Sequence, residues 1–239
     1  DLMFTDADCS VSSRWVKDTV QYFDEKTGVV GGFTLLPYKS VFEGIQSLDW
    51  IFLFGLSSAT AGWNIPLTVI GNNLSVRKSA YDATGGYEKI PFSVTEDYSL
   101  VQAILNHTGL RVRFPINQNT LVKSNACKSF KQLYRQKQRW GVGGLDMVLR
   151  GMIIMSVGWI IKLALLVSIW FVPFPIWLAA LGCKVFMDIR FLWKPLKQFG
   201  ALASLKHFVF FELYFTMYVL IIPFVAMFSK NIVWKERSL

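Results

Sequence analysis

Leu2-Met3-Phe4-Thr5-Asp6-Ala7-Asp8 is the stretch on which the reading turns: a short apolar run, then an acidic turn with two carboxylates one residue apart. Such a run is the pattern of a buried strand that ends at a site. Asp6 and Asp8, at the end of that strand, are spaced so that both can face one divalent cation, a hard ion that takes oxygen ligands and bridges to phosphate. Alone, an acidic triplet of this kind is more often a solvated turn. Its meaning rests on what lies around it.

Working outward, the chain reads as mixed α/β up to about Gly151. Ser12 or Ser13 is placed to cap a helix running from Trp15 to Phe23. Residues 28–36 (GVVGGFTLL) predict a strand with glycine irregularities. From Ser40 to Ala61 the sequence is apolar, helical in spacing and poor in charge, suited to a groove or a membrane surface. Residues 109–114 alternate as a half-exposed strand that Pro115 closes, and Lys128 to Trp140 predicts a basic helix.

Thr95-Glu96-Asp97 lies between Gly85-Gly86-Tyr87 and a helical run from Tyr98 to Leu105. Two readings stand side by side. Thr95 or Asp97 caps the helix and the acids complement its dipole, or one carboxylate acts as a general base on an acceptor hydroxyl. Spacing alone favours the cap. Gln136-Lys137-Gln138-Arg139-Trp140 closes the basic helix just before the glycines at 141–144. An arginine fork suits a diphosphate and an indole face suits a sugar ring. The alternative is an interfacial helix with Trp at the headgroup level.

Composition narrows the classes. Of 239 residues, 53% are hydrophobic and only 17% charged, against about 25% charged in ordinary soluble proteins. The net charge of +9 suits anionic lipid headgroups or a phosphorylated substrate. No nucleic-acid motif accompanies it, and much of the charge sits beside apolar stretches, so nucleic acid is set aside. Cys9, Cys127 and Cys183 form no CxxC pair, and His107 and His207 are far apart. Neither a disulfide framework nor a zinc site is signalled, and a metal would have to sit on carboxylates. The abrupt start at Asp1 reads as a portion of a longer chain.

After Gly151 the character changes. Residues 152–172, 174–193 and 208–228 are apolar stretches flanked by Trp and Lys/Arg, with Lys162, Lys184 and Glu212 as candidate polar residues inside them. Their length predicts about three membrane helices in a region covering 152–239. Three spans return the basic loop of Arg190, Lys194, Lys197 and Lys206 to the side of the first domain, but leave the Lys235 tail outside. One kinked span over 163–183 reverses both.

Taken together, these elements resemble family 2 glycosyltransferases with a GT-A fold, in particular the membrane-bound branch of cellulose, chitin and hyaluronan synthases. The matching residues are Phe4 to Asp8, Gly71-Asn72-Asn73 with Arg77-Lys78, Gly85-Gly86-Tyr87, Thr95-Glu96-Asp97, Gln136 to Trp140 as QxxRW, and Trp234-Lys235-Glu236-Arg237 as a variant tail. The resemblance implies an α/β GT-A-type mixed sheet flanked by helices over residues 1–151, followed by the α-helical transmembrane region. It implies that Asp8 and Asp6 hold Mg2+ or Mn2+ and that Asp97 is the catalytic base. Asp6, Asn73, Glu96, Gln136, Arg139 and Trp140 would bind substrate. The reaction implied is inverting transfer from a nucleotide sugar, UDP-linked, to a glycan or lipid acceptor. Catalysis would be on the cytoplasmic side of a membrane such as the bacterial plasma membrane, with membrane lipids as partners. The family's upstream nucleotide-binding half is missing from this sequence, so the chain alone is expected to be inactive. A non-processive glycolipid transferase and a non-catalytic membrane subunit or transporter fragment are the rival readings.

Overall fold

The apolar triplet at the start is a strand, β1 (Leu2–Phe4), which stops where the acids begin. In the computed structural model it is followed by β2 (Ser10–Val11), α1 (Trp15–Val20), β3 (Thr27–Gly31), β4 (Thr34–Leu35) and the long helix α2 (Val41–Ala61). Then come β5 (Leu74–Val76), α3 (Lys78–Ala83), α4 (Glu96–Thr108), β6 (Arg111–Arg113), β7 (Val122–Lys123) and α5 (Phe130–Gly143). The apolar end forms α6 (Leu149–Ser168), α7 (Phe174–Gln198) and α8 (Phe208–Phe228). The structure describes residues 1–228 with their side chains, and beyond them only the backbone of β8 (Val233–Trp234) and β9 (Arg237–Ser238). The tail match at Trp234-Lys235-Glu236-Arg237 therefore lies outside the residues described with their side chains.

The main sheet has the order β1-β5-β3-β6, with β5 antiparallel to both neighbours and β6 parallel to β3. A second sheet, β2-β7-β4, is also mixed. The single strand expected over 28–36 is thus two strands in two sheets. The chain crosses between them at Gly32 and Phe33, where the Gly32 N–H donates to the Asn73 carbonyl at 2.9 Å and the Phe33 carbonyl accepts from the Val122 N–H at 3.1 Å. A side chain at Gly32 would run into that of Asn73, so the crossing needs glycine.

Local chemistry sets the two helices that frame the site. At α2, Ser40 Oγ accepts from the Glu43 N–H while Glu43 Oε2 accepts from the Lys39 N–H. At α5 the same reciprocal pair recurs, with Ser129 accepting from Gln132 and Gln132 accepting from Lys128. Helix α1 begins after Ser12, whose Oγ accepts from the Arg14 N–H.

One hydrophobic core joins the two regions that composition separates. Val29, Phe33, Leu48, Ile51, Phe54, Leu74 and Leu100 from the sheet domain are buried together with Leu192, Leu196, Phe208 and Phe211 from the apolar end. The middle one of the three stretches expected to span, α7, takes part in this core. Among the described residues, two stretches are long and apolar enough to cross a membrane, Leu149–Ser168 and Leu202–Phe228. Helix α7 is not one of them. It carries Lys184, Asp188, Arg190, Lys194 and Lys197, and its second half turns Leu192 and Leu196 into the core instead of toward lipid.

Candidate functional site

The acids after β1 are exposed, and the ligand atoms of Asp6, Asp8 and Cys9 all lie within 4.8 Å of one another. The set suits a hard divalent cation. Its oxygen donors are carboxylates, and burial pushes the Cys9 thiol up, so the sulfur stays protonated near neutral pH and is a poor ligand for such an ion. The residues present therefore fit Mg2+ or Mn2+ held by Asp6 and Asp8.

Thr95 stands at the N-cap of α4, yet its side chain makes no capping bond. Asp97 does not cap the helix either. Its Oδ2 accepts from the Gly71 N–H at 2.7 Å and its Oδ1 from the Tyr87 hydroxyl at 3.3 Å. Both partners come from elsewhere in the chain. Gly71 opens the turn into β5, and a side chain there would collide with the Asp97 carboxylate. Tyr87 follows Gly85 and Gly86, both in the left-handed region with φ of +75° and +66°. That turn is pinned by the Tyr81 hydroxyl, which accepts from the Tyr87 N–H at 3.2 Å.

Burial raises the Asp97 carboxyl to about 6, with the Gly71 N–H pulling it down, the Glu96 and Asp6 charges pushing it up and the Tyr87 hydroxyl pulling it down. A carboxylate in that range is poised to accept a proton near neutrality. Tyr87 is pushed well above the usual phenol value, first by burial and then by Asp97, so it remains a donor. Arg139, on α5, completes the cluster. Burial lowers its guanidinium from the usual value, opposed by the charges of Glu96, Asp97 and Asp6, which places all three acids within its electrostatic reach. Its Nη1 also donates to the Val94 carbonyl at 3.3 Å.

The remaining expected site residues divide. Glu96 lines a cavity of about 190 Å³ with Tyr87, Ile90, Phe92, Ser93 and Val94. Gln136 has its Oε1 buried without a hydrogen-bond partner among the described residues. Trp140 lies beside Asp97 and Arg139 on a second cavity, with its ring 5.5 Å from that of Trp50. Asn73 sits at the junction of the two sheets. It is buried, its Oδ1 accepts from Trp15 Nε1 at 3.1 Å, and its Nδ2 donates to the Phe33 and Thr120 carbonyls at 2.7 and 2.9 Å. Those bonds tie the two sheets together and use both N–H groups of the amide. Sequence reasoning assigned no role to Tyr87 or Gly71, although the doubled glycine before Tyr87 is the signal of a turn built to aim it.

The second cavity, about 270 Å³, gives the site its shape. Asp97, Arg139 and Trp140 line it together with Met152, Met155 and Ile222 from the apolar helices α6 and α8.

A carboxylate pair at a strand end, a buried carboxylate with a raised pKa and an arginine within electrostatic reach of both are a set that suits transfer of a sugar from a nucleotide sugar. The chain matches glycosyl transferase family 21 over residues 1–239, and it belongs to that family. The family is of GT-A type and related to family 2, which accounts for the resemblance read from the sequence. No curated protein matches the chain.

Proposed function

We propose that the protein transfers one sugar from a UDP-sugar to a hydroxyl of a membrane lipid, with inversion at the anomeric carbon. The observation that carries this reading is the cavity that runs from Asp97 and Arg139 to the apolar walls of α6 and α8. A soluble glycan has no use for such walls, whereas a lipid has its reactive hydroxyl and its chains on opposite sides of that boundary. The ceramide glucosyltransferase-like character of family 21 supports the same acceptor class over a growing polysaccharide.

In this reading Asp97 accepts the proton of the acceptor hydroxyl as its oxygen bonds to the anomeric carbon, and the bond to the nucleoside diphosphate breaks on the opposite side. Tyr87 and the Gly71 N–H hold the carboxylate in position, and Arg139 faces the charge that develops on the leaving group. Asp6 and Asp8 would hold a divalent ion, whose positive charge would stabilise the leaving diphosphate. Glu96 and Gln136 orient the acceptor, and Trp140 offers a ring face to the sugar. The catalytic domain works on the cytoplasmic face of the membrane.

The test uses the full-length protein in membranes, given radiolabelled UDP-sugars one at a time. A metal-dependent product that partitions into organic solvent and carries a single sugar is expected. In Asp97→Asn it should fall by about 10²–10⁴-fold, the usual contribution of a general base. A ladder of water-soluble oligosaccharides would instead identify a polymer synthase. No transfer by folded protein with any donor would sink the enzymatic reading of this site.

A further inference from the structure

The apolar helices meet the catalytic domain in a way that decides how they lie in a bilayer. Helix α8 touches the domain along its whole length. Phe208 and Phe211 are buried in the domain core, and Phe52 of α2 packs on Phe211 and Phe215 with ring centroids 5.9 and 4.8 Å apart. Midway, Lys137 of α5 lies 4.7 Å from the ring of Tyr218. At the far end Gly141 of α5 abuts Ile222 and Ala226, beside the cavity that contains Asp97. From Phe208 to Ala226 the helix axis covers about 27 Å, nearly the thickness of a hydrocarbon core. A helix that crossed the membrane would meet a domain on one face of it only at one end. Here both ends and the middle meet the domain, and the opposite stripe is exposed, including Phe210, Leu213, Met217, Ile221 and Phe224.

Helices α6 and α7 form a hairpin whose two ends are held by that same domain. At one end Gly151 is buried against Met147 and Leu67, and at the other Leu192 and Leu196 are fully buried in the core. The turn between them is apolar and bare: Trp170, Phe171 and Phe174 are 72%, 80% and 64% exposed. A turn that emerged into water on the far side of a membrane would carry polar residues, and residues 169–177 contain none with a charge.

An ionic cluster marks how deep this hairpin reaches. Lys184 pairs with Asp188 at 2.8 Å and with Glu212, and Lys162 lies 4.7 Å from the ring of Phe215. Glu212 follows directly on Phe211, which is buried in the domain core, so the cluster sits at the base of the domain. Charged groups are far less costly there than at a bilayer centre. Beyond Lys184 only ten residues remain to Phe174, about 15 Å of helix. That is half of a hydrocarbon core of about 30 Å.

We propose that this region is monotopic: α8 lies in the membrane plane against the domain, and the α6–α7 hairpin enters one leaflet and returns, so that no described segment crosses. The occupant of the exposed apolar face is the acyl region of the near leaflet. The proposal rests on the membrane attachment invoked above, but its test reads position and not sugar transfer, so the two can fail separately.

The experiment places single cysteines in the full-length protein after Cys9, Cys127 and Cys183 are replaced, with thermal unfolding as the check of folding. Val172→Cys and Trp170→Cys report the hairpin tip, and Lys131→Cys, exposed on α5, marks the catalytic face. A membrane-impermeant maleimide applied to each side of sealed vesicles is expected to modify Lys131→Cys from one side and the tip cysteines from neither, until detergent is added. Fluorophores at Phe210→Cys and Phe224→Cys, quenched by brominated lipids, should report equal depths. Modification of a tip cysteine from the side opposite Lys131→Cys would reveal a crossing hairpin. Its modification from the same side would reveal a hairpin in water. Depths in opposite leaflets for the α8 pair would reveal a crossing helix. Any of these overturns the proposal, and the two tip positions guard against one variant failing to fold.

Discussion

Asp97 is held by two donors that serve its ionised form, in a place that disfavours ionisation. With its carboxyl at about 6, the rate of transfer should rise with pH through that value as the base loses its proton. Tyr87→Phe removes a hydrogen bond that favours the carboxylate, so this limb of the pH–rate profile should move to higher pH, and an unmoved limb would discount the Tyr87 contact. The same burial has a stability consequence. The folded pKa lies above the unfolded value, so the stabilisation from the protonated form is full below about pH 4 and is lost as pH rises through about 6. At neutral pH, Asp97→Asn, for all its loss of transfer, should therefore raise stability by about 1–3 kcal/mol, allowing for partial exposure, as melting curves would show. Sequence alone tilted this residue toward a helix cap. The contacts that displace that reading join Asp97 to Gly71 and Tyr87, residues 26 and 10 positions away, and no local pattern encodes them.

Helix α5 is the element on which the arrangement turns. The sequence grouped its closing residues as a site, but their faces differ. Leu133, Lys137 and Trp140 follow helical spacing on one side, and there Lys137 is buried in an ion pair with Asp49 of α2. Its ammonium also lies 4.5 Å from the Trp140 ring and 4.7 Å from that of Tyr218. Lys137 thus ties α5 to α2 and α8 while its neighbour Arg139 faces the acids. Lys137→Met leaves the Asp49 charge buried and alone, and should destabilise the protein by about 3–5 kcal/mol in denaturant unfolding. Adding Asp49→Leu should restore much of that loss, and additive losses in the double variant would refute the pairing. The pairing of Lys137 was not legible, since Asp49 lies 88 residues earlier. The start of α7 at Phe174 was legible from the bounds of the second apolar stretch. The entry of Leu192 and Leu196 into the core was not legible, because their burial depends on tertiary packing.

Across the whole molecule, the mixed α/β character, the acidic strand end and the apolar terminal region were open to reading, because each is a local pattern of polarity. What stayed hidden is that the apolar helices share the domain's core and complete the wall of its cavity. At the opposite side of the site, metal removal offers a test of the acidic pair. Chelation should abolish transfer and restored Mg2+ or Mn2+ should recover it, whereas Asp8→Asn should need much higher metal concentrations. Activity indifferent to chelation would discount Asp6 and Asp8 as ligands. The lining of the cavity has a consequence of its own. Met147, Met152 and Met155 line it, and thioether side chains with several free rotations reshape themselves around whatever they touch. Such a surface is a poor ruler. It cannot measure the length or unsaturation of an acyl chain, so selectivity among acceptors must reside near the reacting hydroxyl, and a mixed lipid population would be glycosylated with little regard to its tails.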